Sequence, residues 1–246
     1  MTEFAKPIQG GETESVRPLI AELCRPVRLV HVLPDEPGRD LLERFVQRVF
    51  QRSYGAHVRD FHPHLLGFTD PRGIQAVVGW RAAGVERLFC EQYLDQPVEN
   101  WCGQGIAGTG DRASIVEVGN LAVREPGQAR WLIAAMTAYL YRAGFRQVVF
   151  TAVRPLFNAF HRMGLQPLVV APADPARLAD AGRSWGNYYE QSPLVCRGDI
   201  ASGYRFLQGS IGRRQPNLRR LWLEACEMGL LGAATEGYSL TAGGVR

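Results

Sequence analysis

The sequence predicts an α/β domain built on a mixed, mostly antiparallel twisted sheet flanked by helices, with a helical C-terminal extension. Three observations carry this. A lone strand and an amphipathic helix stand near the N-terminus, short β-rich runs at hairpin spacing follow, and the pattern then turns to strand, loop, helix, strand, helix, strand. With 246 residues, 46% of them hydrophobic and 21% charged, the chain has material for one sizeable core and lies far from compositions that stay unfolded.

Residues 1–26 mix Gly, Glu, Pro and Arg without a period and read as an irregular arm. Residues 27–33 (VRLVHVL) alternate as a strand does, and Pro34-Asp35-Glu36-Pro37-Gly38 ends it. Over 39–54 the apolar Leu41, Leu42, Phe45, Val46, Val49 and Phe50 share one face of a helix that Gly55 stops. The runs 64–69, 74–81 and 87–94, separated by turns at Asp70-Pro71-Arg72-Gly73 and Gly84, read as three antiparallel strands. Residues 100–110 are Gly-rich and read as a loop.

A long strand over 114–123 follows, then an amphipathic helix over 130–143 closed by Gly144. Residues 145–153 (FRQVVFTAV) are nearly continuously apolar, the pattern of a strand covered on both faces. A short helix over 156–163 and a strand over 166–171 complete the unit. Beyond Pro172 the signal weakens to a helical turn within 174–181, an aromatic stretch at 184–191 and a terminal helix over 216–231, with a small, polar tail after Gly232. The domain is therefore placed at 27–200 and the helical extension at 201–246.

Several functions are disfavoured at once. The net charge is only +4, and all the basic residues but Lys6 are arginines, so nucleic-acid binding gains no support. No apolar run approaches the roughly 18 residues of a membrane span, and Met1 to Pro7 carry no basic stretch leading into an apolar one, so a cytoplasmic chain without stable membrane insertion is expected. Cys24, Cys90, Cys102, Cys196 and Cys226 are scattered without metal-ligand spacing, which predicts free thiols and no metal site.

Two loops carry chemistry. Arg124-Glu125-Pro126-Gly127-Gln128-Ala129 sits between a strand and a helix, where a small-residue turn leaves free backbone N–H groups and the positive end of a helix dipole to face a pyrophosphate. It resembles the Arg/Gln-x-x-Gly-x-Gly/Ala donor loop of the acyl-CoA N-acyltransferase (GNAT) fold, with a shorter turn. Asn158 to Leu165 resembles a shortened form of that fold's Asn-x-x-Ala segment, whose Tyr often protonates the departing thiolate. Phe160 occupies that position here, and a phenyl ring has no proton to donate, which leaves His161 or a water. The competing reading of His161 is a surface histidine.

Glu117 lies between β-branched residues, where burying a carboxylate is costly unless it is paired or functional. Val116-Glu117-Val118-Gly119-Asn120 is similar to the Trp-Glu-Leu-Ser-Arg motif of acyl-homoserine-lactone synthases. Val116 and Asn120 replace its Trp and Arg, so S-adenosylmethionine is not implied. Glu91 and Asp95 close the third β-rich run and are candidate acceptors for a cationic substrate, the alternative being an exposed strand end.

Taken together, PHLLGF at 63–68, EQYLD at 91–95, IVEVGNLA at 115–122, VVFTAVRPLFNAFHRMGL at 148–165, APADPARL at 171–178 and WGNYY at 185–189 resemble the thermostable hemolysin family in unbroken order over roughly residues 28–200. The resemblance implies a bacterial N-acyltransferase or autoinducer-synthase-like domain. It would move an acyl group from acyl-CoA or an acyl-carrier protein to a small amine, without a covalently bound cofactor. Glu117 would then be base or ammonium anchor, with Asn120 and His161 beside it. Leu121, Val123, Arg124, Gly127, Gln128, Ala129, Arg130 and Asn158 would bind the donor, and Glu91, Asp95 and Arg154 the substrate. A homodimer is compatible with this. Two other readings stay open: a membrane-active haemolysin-like protein, and a non-catalytic acyl-CoA-binding module of the same fold.

Overall fold

The computed structural model describes residues 27–102, 111–125, 127–211 and 215–235. The expected arm at 1–26, with Cys24, most of the Gly-rich loop and the end of the tail lie outside them. The chain order is β1 (Arg28–Val32), α1 (Arg39–Tyr54), β2 (His64–Asp70), β3 (Gly73–Ala82), a 3-10 turn (Phe89–Tyr93), α2 (Val98–Cys102), β4 (Ile115–Val123), α3 (Ala129–Arg142), β5 (Gln147–Ala152), α4 (Arg154–Arg162), β6 (Leu168–Pro172), β7 (Leu194–Asp199), α5 (Ile200–Ser210) and α6 (Pro216–Thr235). The strands form one seven-stranded sheet in the order β1-β2-β3-β4-β5-β7-β6. Among the described residues only β4 and β5 run parallel, and every other pair is antiparallel.

Strand alternation sends neighbouring residues to opposite faces and so creates two cores. Leu66, Phe68, Val78 and Trp80 pack with Leu132 and Tyr139 of α3, Tyr204 and Leu207 of α5, and Leu221 and Trp222 of α6. On the other face Leu65 and Val77 meet Leu42, Phe45, Val46 and Phe50 of α1. Helices α5 and α6 thus contribute side chains to the core of the sheet.

The expected third strand of the hairpin series, 87–94, is a correction. It forms the 3-10 turn because carboxylates take the amides a strand would offer to a neighbour. Glu117 accepts the Phe89 and Cys90 N–H groups at 2.6 and 2.8 Å, and Glu91 those of Leu88 and Val98 at 2.9 and 3.1 Å. Strand β7 and helix α5 are elements the sequence reading did not resolve, and β7 inserts between β5 and β6.

Two irregularities position the site. First, β4 pairs with β5 only from Ile115 to Val118, opposite Gln147 to Phe150, although β4 continues to Val123. Second, β4 carries a bulge: Gly119 faces Gly79 and Ala122 faces Val77, so Asn120 and Leu121 together oppose Val78, with Asn120 at φ +47°. The extra residue flips the alternation, which is why Ala122 packs on the α1 side.

Candidate active site

Where β4 and β5 part, a cavity of about 570 Å³ opens through the sheet. Its walls come from both cores: Leu132, Ile133, Met136 and Leu140 of α3 with Leu165 and Ile200 on one side, and Phe50, Tyr54, Phe89, Tyr93, Trp185 and Tyr188 on the other. Glu117, His62, Arg81 and Asp60 line it near the point of divergence.

Glu117 is 3% exposed, and besides its two backbone amides it has the Arg81 guanidinium 3.7 Å away. Burial raises its pKa above the ordinary carboxylate value, with the Phe89 and Cys90 amides and Arg81 pulling the other way. The Arg81 Nε–H donates to His62 Nδ1 at 2.6 Å. That bond leaves Nδ1 as an acceptor and places the ring proton of the neutral imidazole on Nε2. Burial, helped by the charge of Arg81, holds His62 well below its usual pKa, so the ring is neutral. The imidazole lies over two glycines. A Cβ at Gly119 would stand 2.3 Å from His62 Nε2, and one at Gly79 would stand 2.9 Å from His62 Cβ.

Of the residues the sequence singled out, Glu117, Asn120 and Leu121 line the cavity. The amide of Asn120 is engaged structurally: Oδ1 accepts the His62 N–H at 2.8 Å and Nδ2 donates to the Asp60 carbonyl at 3.2 Å, which fixes the segment carrying His62. His161 stands exposed on α4 with its ring edge-on to Phe157 at 4.6 Å, and it does not line the cavity. Phe160 does line it, stacked on Phe150 at 4.8 Å.

The expected acceptor carboxylates lie elsewhere. Glu91 grips the Arg112 guanidinium at 2.7 and 2.8 Å. Burial alone would raise its pKa, but Arg112 and the two amides outweigh it and bring it to about 2. Its oxygens are thus consumed in holding the 3-10 turn. Asp95 pairs with Arg177 on the surface, and Arg154 is exposed at the start of α4; neither lines the cavity.

At the expected donor loop, Gly127 adopts φ +94° and the Gln128 side chain, at the N-cap, makes no capping hydrogen bond to the amides that open α3. Gln128 Oε1 turns back to accept the Glu125 N–H at 3.2 Å. Arg124 donates through Nε and Nη2 to the Ile74 carbonyl at 2.9 and 2.6 Å, tying the loop to β3. Arg130 is exposed on the first turn of α3, and Ala129 is its first residue. Val123 and the exposed Asn158 stand outside the cavity wall.

Missed in the sequence were His62, Arg81 and the role of the aromatic stretch. His62 and Arg81 carry no spacing signal, because 19 residues and a strand separate them. The WGNYY stretch was visible, but not what it faces. Among the described residues no group of His, Cys, Asp and Glu is arranged to hold a metal, and Cys90, Cys102, Cys196 and Cys226 are free thiols.

Sequence comparison then places the chain. The family model for thermostable hemolysin matches residues 32–204. This protein belongs to the thermostable hemolysin family. Among curated proteins none matches this hemolysin-family chain in sequence. Its fold is that of FeeM, described as an N-acyl amino acid synthase from uncultured soil microbes: TM-score 0.50, 15% identity, 71% of this chain and 92% of FeeM covered. Looser likenesses include the CoA-dependent acyl-homoserine lactone synthase BjaI with SAM and isopentyl-CoA (TM-score 0.49, 15% identity, 81% and 99% covered). The AHL synthase LasI is another (TM-score 0.47, 10% identity, 72% and 91% covered). The family member described here thus has the acyl-CoA N-acyltransferase fold. Among its described residues no helix is long and apolar enough to cross a membrane.

Proposed function

We propose that this protein transfers an acyl group from acyl-coenzyme A or an acyl-carrier protein to a small amine. The observation that carries the reading is the early divergence of β4 and β5 with an apolar cavity passing between them. A volume of about 570 Å³ is of ligand size and too large for an acetyl group alone. Its apolar wall on the α3 side suits a fatty acyl tail, with each buried methylene adding about 0.8 kcal/mol to binding, roughly fourfold.

The acyl carbon would sit at the bulge, where Asn120 and Leu121 together oppose Val78 and the extra residue's N–H would be left for the thioester carbonyl. The pyrophosphate of a coenzyme A donor would lie at the start of α3, near Gly127, Gln128, Ala129 and Arg130. The amine nitrogen attacks the carbonyl carbon, the C–S bond breaks, and the sulfur leaves as thiolate. The ammonium proton goes to Glu117, directly or through water, and burial makes this carboxylate a stronger base than an ordinary one. Phe160 has no proton to return to the thiolate. The imidazole within reach is that of His62, which lines the cavity with Nε2 packed over Gly119; its Nε2–H would donate a hydrogen bond to the developing oxyanion. Water protonates the sulfur.

Calorimetric titration with acetyl-, octanoyl- and palmitoyl-CoA tests donor binding, and thiol release in the presence of amines tests turnover. Affinity is expected to rise with chain length. Absence of thioester binding, or liposome leakage without it, would overturn the assignment in favour of a membrane-active protein. Binding without turnover under any amine would leave a non-catalytic module.

A further inference from the structure

The amine-side half of the cavity is walled by rings: Tyr54, Phe89, Tyr93, Trp185, Tyr188 and Tyr189. They pack as one continuous surface, edge to face among the tyrosines and tilted where Trp185 meets Phe89 and Tyr188. Tyr54 meets Tyr188 at 5.1 Å and 89°, Tyr188 meets Tyr189 at 5.3 Å and 88°, and Phe89 contacts both Tyr93 and Trp185 at 5.9 Å. The Tyr93 and Tyr189 hydroxyls share a hydrogen bond of 2.5 Å, so their polar ends satisfy each other.

The wall is built rather than draped. The backbone of Asn187 donates to the Tyr54 carbonyl at 2.8 Å and that of His57 to the Ser184 carbonyl at 2.7 Å, stapling the ring-bearing strap to the end of α1. Between Trp185 and Asn187 stands Gly186 at φ +54°, ψ −129°, where a Cβ would come 2.0 Å from the Tyr54 carbonyl oxygen.

The charges at this end are one-sided. Among the described residues Arg81 is the only lysine or arginine lining the cavity, and it is engaged by His62, Glu86 and Glu117. Glu117 stands 3.7 Å from it, and the exposed Asp60, which makes no salt bridge among the described residues, lies at the cavity's edge. An ammonium would balance this end. A substrate carboxylate would meet two others and no uncommitted cation.

We infer that the acceptor is an arylalkyl primary amine lacking a carboxylate, its ring stacked on the Trp185 and tyrosine wall and its ammonium directed to Asp60 and Glu117. The ring faces attract both an aromatic body and a cation. This rests on the acyl-transfer reading for its chemistry but not for its binding, and the two are measured separately.

The test is calorimetry of the full chain with phenethylamine, phenylalanine and butylamine, beside thiol release from octanoyl-CoA with each. Phenethylamine is expected to bind about tenfold or more tightly than either of the others. Asp60→Asn should weaken phenethylamine by about threefold or more while leaving octanoyl-CoA affinity unchanged. Trp185→Ala should weaken phenethylamine more than butylamine, and Tyr189→Leu, which keeps a large apolar group, should do the same if the Trp185 variant fails to fold. Phenylalanine binding as tightly as phenethylamine, or butylamine doing so, overturns the inference even if turnover is strong. Tight phenethylamine binding with no thiol release from any donor upholds the amine site and sinks acyl transfer instead.

Discussion

Glu117→Gln separates the two jobs the structure gives this carboxylate, holding the 3-10 turn and taking a proton. The amide keeps one carbonyl oxygen for either the Phe89 or the Cys90 N–H, while its NH₂ faces the other. One charge-assisted bond, worth about 1.5–3 kcal/mol, is lost, and one N–H is left against a donor in a buried place at a further cost of about 1–3 kcal/mol. Relief of the carboxylate's own burial offsets part of this. The net expectation is a loss of about 3 kcal/mol, or about 6–12 °C in Tm for a chain of this size. Thermal and urea unfolding measure that loss, and thiol release at a temperature where the variant is folded measures turnover. Turnover should fall about 100-fold or more if Glu117 is the base, with acyl-CoA affinity retained. A folded variant with wild-type turnover refutes the catalytic role, and an unchanged melting curve refutes the accounting of the two amide bonds.

Three further outcomes are expected. Burial lowers the pKa of His31 and His62 and brings His64 to about 3, so the unfolded chain takes up protons at about pH 6.5 that the folded chain refuses; stability is complete above that pH and is lost as pH falls toward 3. Each such histidine contributes up to about 1.4 kcal/mol per pH unit, Glu117 acts in the opposite sense, and calorimetry of His64→Gln between pH 5 and 6 should show the slope reduced; an unaltered slope would contradict the burial of this ring. Gly186→Ala places a methyl 2.0 Å from the Tyr54 carbonyl oxygen and should cost about 3 kcal/mol or more, checked by denaturant unfolding. Gly203 has Thr137 and Leu165 at 3.6 and 3.7 Å from where a Cβ would stand, so Gly203→Ala fits, whereas Gly203→Leu fills the acyl end. Displacing about two methylenes should lower palmitoyl-CoA affinity roughly fifteenfold with acetyl-CoA unaffected, and equal effects on both donors would place the tail elsewhere.

Much of the fold was legible because its signals are local. Of the apolar residues the helical period put on one face, α1 buries Leu42, Phe45, Val46 and Phe50, with Val49 partly buried, while Leu41 is exposed. The apolar run over 145–153 marked a strand covered on both sides, and β5 lies between β4 and β7 with helices or turns across both faces. The run over 87–94 misled because its β-rich composition was real while its amides were claimed by carboxylates distant in sequence or locked by Arg112, a competition no local window contains. The site divides the same way. Glu117 could be singled out as a carboxylate in an apolar strand, but Glu91, equally visible, proved to be the scaffold's and not the cavity's.

The sequence by itself determined the order and type of most elements and the identity of the family, since both are written in periodicity and in motifs within single segments. Only the tertiary structure decided where β4 leaves β5, which histidine faces the gap and in which protonation state, and that the Trp185–Tyr189 strap closes over the end of α1. Those features depend on long-range pairing and on desolvation. A strand's hydrogen-bond partner and a side chain's surrounding charge are set by residues brought from elsewhere in the chain, and neither is encoded in the spacing of its neighbours.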